Sequence, residues 1–222
     1  MRIAKFAAAL AGIGMMAAVA ASPAQAVSVA DRAREVEGEL REAEAAMKAE
    51  KFEVAIGLLD RVIASRALKE ANLGVAHFQR GMAYYRLQRC AEAMPDYDKA
   101  VELLPGDANP VSARGFCHVE LGNTDGAIAD FNATLVIDEK HLSALSNLCV
   151  IHYNAARYVD AVPFCTKAAE LAPDNATLLK AKAAALELAG DKPGALDAWK
   201  ALLALAPDDK DAKDGVARNS TP

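Results

Sequence analysis

The sequence predicts an all-α chain, a solenoid of helix–turn–helix repeats, and three observations predict it. Ala93, Ala127, Ala161 and Ala195 stand 34 residues apart. Pro105, Pro173 and Pro207 keep the same beat, with Glu139 where a further proline would fall. Between these marks apolar residues recur every three or four positions, the period of a helix. Breaks interrupt that pattern midway, at Gln88-Arg89, Gly122-Asn123, Ala156-Arg157 and Gly190-Asp191. A fixed period of this length marks a repeat protein, in which each helix pair leaves an apolar side for the next pair to cover.

The first 26 residues stand apart from the repeats. Arg2 and Lys5 form a short positive head, residues 6–21 are an uncharged Ala-rich apolar run, and Ala24-Gln25-Ala26 is a small-x-small cleavage pattern. That is the build of a secretory signal peptide. Gly12 and Gly14 interrupt the run, which is short beside the ~20 residues of a membrane span. The expectation is a cleaved leader over 1–26 and a mature chain over 27–222 with no stable membrane insertion. Two of the 25 basic residues lie in the leader, leaving 23 against 30 acidic ones, a balance of −7. An acidic chain with scattered Lys and Arg has no footprint for nucleic acid.

Five units fill 27–209, at about 36–69, 74–107, 108–141, 142–175 and 176–209. In the first, Ala55 precedes Ala93 by 38 residues, the closing proline is missing, and Ala43 and Ala46 take the small and large positions; looser packing is expected there. In the second and fourth, Pro95 and Pro163 fall early in the second helix. A proline beyond the first turn costs ~3 kcal/mol, so these helices are expected to start late or kink. In the third and fifth, Gly122 and Gly190 suit a helix end in the left-handed conformation, and Thr124 and Asp191 are placed to cap the next helix. Residues 210–222 are expected as a short capping helix or a tail.

The repeated positions resemble the tetratricopeptide repeat family. That family carries a small residue at position eight of each unit, and Gly81, Gly115, Cys149 and Ala183 stand there. It carries Ala at position twenty, matched by Ala55, Ala93, Ala127, Ala161 and Ala195. It carries a bulky residue at position twenty-four, matched by Leu59, Tyr97, Phe131 and Trp199, with Cys165 as the exception. The resemblance covers about 170 residues. It implies a right-handed superhelix whose first helices line a concave binding face, and one fold of this kind hosts many tasks.

Four cysteines in an exported chain point toward bridges. In the repeat register Cys149 and Cys165 face each other across one helix pair, whereas Cys90 and Cys117 lie at the start and end of neighbouring helices. The pairing Cys90–Cys117 with Cys149–Cys165 therefore needs the shortest reaches. Four small buried thiols are the alternative.

Nothing in the chain assembles catalytic chemistry. No nucleophile elbow, phosphate loop, zinc-helix motif or CxxC pair appears. His118 and His152 share position eleven of adjacent units, and Cys149 lies three residues before His152. They are read as substitutes for core aromatics, since stacked positions stand too far apart for metal bonds of ~2.0–2.3 Å. His77 falls at a packing position and His141 in a linker. No cofactor or metal is expected, and the chain is read as a non-enzyme.

The resemblance puts the groove at positions two, five, nine, twelve and thirteen. Phe78, Met82, Tyr85 and Arg86 hold such positions in the second unit, and Ser112, Phe116, Val119 and Glu120 in the third. Val150 and Tyr153 hold them in the fourth, and Lys180 and Glu187 in the fifth. Family members that clamp a peptide carboxylate use Lys, Arg and Asn at five and nine, which Phe78/Met82 and Ser112/Phe116 do not match. The expected function is an exported scaffold, adaptor in a cell-envelope assembly of the Gram-negative periplasm. Its unidentified protein or peptide partner would place an apolar or aromatic segment on Phe78, Met82, Tyr85, Phe116 and Tyr153. Arg86 and Lys180 would pair acidic groups of that partner. The alternatives are a self-associating structural module and, more remotely, an enzyme or metal-binding protein.

Overall fold

A computed structural model describes residues 29–220 of the chain. The expected leader, its cleavage point and the last two residues lie outside the described residues. Within them stand eleven α-helices. They are α1 (Val29–Lys48), α2 (Phe52–Ala64), α3 (Glu70–Arg86), α4 (Cys90–Leu103), α5 (Ala108–Glu120) and α6 (Thr124–Ile137). Then follow α7 (Leu142–Asn154), α8 (Tyr158–Leu171), α9 (Ala176–Leu188), α10 (Lys192–Leu205) and α11 (Lys210–Asn219). Each helix packs on the next in sequence, and α3 also touches α5 as α7 touches α9. The first helices thus share one face, and the architecture is an all-α helical solenoid.

The turn inside each unit is built alike. Gln88, Gly122, Ala156 and Gly190, one in each of the second to fifth units at the 34-residue beat, all take positive φ of 59°, 73°, 56° and 89°. The amide after each reaches back to close the helix: Arg89 N to Tyr84 O, Asn123 N to His118 O, Arg157 N to His152 O and Asp191 N to Leu186 O, at 2.8–2.9 Å. These bonds satisfy carbonyls that a helix end leaves orphaned. Gln88 and Ala156 adopt the same backbone as the glycines, so the turn is set by the stack rather than by residue type. Asn123, not the expected Thr124, caps α6 by accepting from Gly126 N at 3.0 Å. Asp191 caps α10 from Gly194 N at 3.0 Å.

A second series of caps opens the first helices. Asp107, His141, Asn175 and Asp209, again 34 apart, accept from backbone amides of α5, α7, α9 and α11. His141, read from sequence as linker, is therefore an N-cap.

Packing inside the units repeats one pairing, of residues 16 apart. A Cβ added to Gly81 would stand 2.7 Å from the Tyr97 ring, and one added to Gly115 would stand 2.9 Å from Phe131. The small residue is needed because the facing ring already fills the space. Ala183 faces Trp199 at the corresponding positions of the fifth unit, and Ala43 faces Leu59 in the first. In the fourth unit Cys149 and Cys165 stand there instead, with Cα atoms 4.9 Å apart and sulfurs joined. Cys90 and Cys117 join α4 to α5 across two units, with Cα atoms 5.1 Å apart. Both separations lie in the window a disulfide requires.

Buried charges brace the second and third units. Arg80 donates to both carboxylate oxygens of Asp96, at 2.8 and 2.6 Å, and to Asp60 of the preceding unit at 2.6 Å. Arg114 repeats the pattern on Asp130, at 2.9 and 2.7 Å, and on Asp98 at 2.8 Å. Asp96 and Asp130 are buried, so the bidentate geometry offsets desolvation that would otherwise be costly. The hydrogen bond to its buried aspartate raises the pKa of each arginine further. In the fourth unit the same two positions hold Leu148 and Phe164, and no ion pair replaces them.

Two expectations about the units need correction. The first unit is closely packed: Ala43, Ala55, Leu59 and Val62 have no exposed surface. Its four extra residues lengthen α3, which has 17 residues where α5 has 13; four residues are about one helical turn, so the register is kept. Nor do the prolines delay their helices, because α4 and α8 begin at Cys90 and Tyr158 with Pro95 and Pro163 inside them. Both prolines are exposed, as are Ala91 and Val159, whose carbonyls lose an amide partner on the side facing water.

The last described helix, α11, stands where the first helix of a sixth unit would fall. Ala212 continues the beat of Ala76 and Ala144 and is fully buried, and a Cβ on Gly215 would meet the Trp199 ring at 2.5 Å. The side chains of Lys210, Lys213 and Asp214 stand exposed on α11.

Candidate functional site: the face of the first helices

The first helices α3, α5, α7 and α9 present the residues that sequence assigns to the groove, and the structure sorts them into separate hollows. Phe78, Met82, Tyr85 and Phe116 line one cavity of about 260 Å³, together with Ser112 and with His141 from the start of α7. The Tyr85 and Phe116 rings lie 6.4 Å apart, and Phe116 meets the core ring of Phe131 edge-on at 5.4 Å. The aromatic surface is thus continuous with the core and held rigid by it. Ser112 is 3% exposed and its hydroxyl makes no hydrogen bond, which leaves a polar atom unsatisfied beside the cavity.

Val150, Tyr153 and Lys180 line a second and larger cleft of about 640 Å³ between α7, α9 and α11. Its floor includes Ala184, Leu188 and Trp199. The indole of Trp199 donates to Glu187 at 2.8 Å, and Arg218 donates to the same carboxylate at 2.6 Å. The bond from Arg218, ahead of that from Trp199, holds the Glu187 carboxyl below its usual range. Asp211 and Arg218, both from α11, form one wall. Sequence reasoning gave the tail only a covering role. The signal was present in Asp209 and Ala212, which continue the repeat beat past the fifth unit.

Val119 is 40% exposed on α5 and lines neither of these two hollows. The two cations expected to meet a partner's acidic groups are paired within the chain instead. Arg86 donates to Glu50 at 3.1 Å and its guanidinium lies 4.8 Å over the Phe52 ring. Lys180 pairs with Asp209 at 3.6 Å and with Asp211, and the hydrogen bond to Asp211 raises its pKa.

The histidines are absorbed by packing. His77 Nδ1 lies 2.7 Å from Asp96, and His118 lies 3.7 Å from Asp130 and 3.1 Å from the Asn123 amide. His152 stacks on Phe164 at 5.5 Å, and burial, helped by Arg157, lowers its pKa. Cys149, near His152 in sequence, is bonded to Cys165. Among the described residues no three His, Cys, Asp or Glu side chains gather to hold a metal ion, and no helix is long and apolar enough to cross a membrane.

Known proteins resemble this chain in sequence and in fold. Small glutamine-rich tetratricopeptide repeat-containing protein 2 of Mycosarcoma maydis is 35% identical over 95 residues, which are 43% of this chain and 27% of that protein. The chain thus spans about a quarter of that relative's length. Among solved structures, a tetratricopeptide repeat protein from Parabacteroides merdae superposes with a TM-score of 0.69 at 17% identity, over 84% of this chain and 72% of that one. YrrB, described as a TPR protein with an unusual peptide-binding site, superposes with a TM-score of 0.66 at 15% identity, over 84% of this chain and 98% of that one. At these identities the structures speak for the fold alone. The tetratricopeptide repeat profile matches residues 40–108 and 118–176, more than half of the sequence, and the chain belongs to the tetratricopeptide repeat family.

Proposed function

We propose that this protein is an exported interaction scaffold that holds an apolar or aromatic segment of a partner protein on the face of its first helices. The observation that carries the reading is the cavity of Phe78, Met82, Tyr85 and Phe116, aromatic, continuous with the core and open to the outside. Rigid rings in a concave wall make anchors for a partner at small entropic cost. The role of adaptor in a cell-envelope assembly, in the Gram-negative periplasm, rests on the leader pattern of residues 1–26 and on the cysteine pairing.

The test is a photoreactive side chain placed at Val150, 49% exposed on the groove face, and separately at Val136, 87% exposed on a second helix. Crosslinking in intact cells should yield a partner from Val150 and not from Val136. Capture should fall when Tyr85 and Phe116 are changed to Ala. Equal capture from both positions, or capture untouched in a folded Tyr85→Ala/Phe116→Ala variant, would remove the groove from the function. The mass of the mature chain decides export, with a start at Val27 as the expected result.

A further inference from the structure

We infer that the partner segment carries a cationic side chain beside its apolar anchor, and that Glu120 and Tyr85 receive it. The inference rests on the groove reading above and adds the partner's charge. It begins from what the chain leaves unmatched. Arg86 and Lys180 are neutralised by Glu50 and by Asp209 with Asp211. Glu187, the other carboxylate at a groove position, accepts from Trp199 and Arg218. Glu120 is exposed at the end of α5, and no hydrogen bond or ion pair reaches it among the described residues. Its charge stands on a chain whose net charge is already −5.

Glu120 lines a cavity of about 490 Å³ together with Tyr85, Arg86 and Gln88. Arg86 adds no free cation there, since its guanidinium is held toward the first unit by Glu50 and the Phe52 ring. Tyr85 also lines the apolar cavity of Phe78, Met82 and Phe116. The two hollows therefore share a wall, and neighbouring side chains of one segment can enter both. An ammonium or guanidinium suits the second hollow for two reasons. The carboxylate supplies a charge-assisted acceptor, and a tyrosine ring face attracts a cation within about 6 Å. In an extended segment, side chains on one face recur every second residue, about 7 Å apart, so the anchor and the cation are expected two positions apart.

The experiment is an amide-resolved NMR titration of the intact chain with short capped peptides. One bears phenylalanine and arginine separated by a serine. A second replaces the arginine by glutamate, and a third replaces the phenylalanine by alanine. The first peptide should bind about 3- to 5-fold more tightly than the second, the range of a single exposed ion pair. That preference should shrink with added salt. Glu120→Gln should abolish it and Glu120→Lys should reverse it, while both leave the fold intact because Glu120 bonds to nothing. Phe116→Ala should weaken every phenylalanine peptide. Equal binding of the arginine and glutamate peptides, or a preference that survives Glu120→Gln, overturns the cation site and leaves the groove standing. Binding by none of the peptides, or binding indifferent to Phe116→Ala, overturns the groove as well. Shifts at Tyr85 and Glu120 on dilution alone would place a second copy of the chain on this face and also overturn the proposal.

Discussion

Replacing Arg80 by Ala tests how the stack carries buried charge. Arg80 is the main partner of Asp96, whose side chain is 3% exposed, and it also spans to Asp60 in the preceding unit. Its removal leaves a buried carboxylate with His77 alone, 2.7 Å away. Removing one member of a buried pair costs about 3–5 kcal/mol, and the remaining imidazole places this case at the low end, about 3 kcal/mol. For a chain of this size that is a fall in Tm of about 6–12 °C. Lys99→Ala is the control, because Lys99 pairs with Glu102 in the open and should cost at most about 0.5 kcal/mol. A third variant, Arg80→Leu with Asp96→Phe, copies the Leu148 and Phe164 of the fourth unit. It should recover more than half of the loss, since apolar groups can replace a buried ion pair at little cost. The assay is thermal and urea unfolding followed by circular dichroism. If Arg80→Ala shifts the transition no more than Lys99→Ala does, the clamp is ornament and the accounting for buried charge is wrong.

Gly81→Ala pushes a methyl to within 2.7 Å of the Tyr97 ring and should destabilise by about 1–2 kcal/mol in urea melts, overpacking outweighing the helix gain. Gly38→Ala, with nothing within 4 Å, should instead stabilise by about 0.5–1 kcal/mol. Acid should release α11. Glu187 has a folded pKa below its ordinary 4.5, so its bond to Arg218 supports the fold above that value and is lost as pH falls through the lowered one. Trp199 is the only tryptophan, and its fluorescence should change below about pH 4.5 in the wild type and not in Glu187→Gln. With sequence separations of 16 and 27, Cys149–Cys165 and Cys90–Cys117 should each contribute about 3–3.5 kcal/mol in the chain-entropy account. Unfolding without reductant should leave all four thiols blocked to alkylation, and any labelled cysteine would show an open pair.

What the sequence made legible depended on periodicity. Gly81 with Tyr97, Gly115 with Phe131 and Cys149 with Cys165 were readable because size and spacing repeat together, and sterics act on size alone. The turn was readable only in part. Gly122 and Gly190 advertise a left-handed residue, while Gln88 and Ala156 hide the same conformation that the stack imposes. The Arg80–Asp96 and Arg114–Asp130 clamps escaped because they occur in two units only, and a charged residue met in a sequence reads first as solvated. Position within a unit put the assigned residues on the first helices but could not show the internal partners of Arg86 and Lys180, since a charge is settled by its neighbours in an adjoining unit.

That last failure contains its own remedy, which is to look one repeat away. Glu50 lies 36 residues from Arg86, Glu53 lies 36 from Arg89, and Glu187 lies 31 from Arg218. Stacked units bring such offsets together, so charges about one repeat apart cancel. Two residues stand one 34-residue repeat from Glu120. One of them, Asn154, carries no charge. The other, Arg86, lines the same cavity as Glu120 but is turned to Glu50 and the Phe52 ring. Glu120 thus stays unmatched only while Glu50 holds Arg86. Glu50→Gln should free Arg86 to swing to Glu120, and the arginine-over-glutamate peptide preference should then fall toward one without any change at Glu120 itself. Phe52→Ala should act in the same direction by removing the stacking surface. If both variants keep the full preference, Arg86 does not govern the charge of this hollow and the one-repeat rule fails at the position where it matters most.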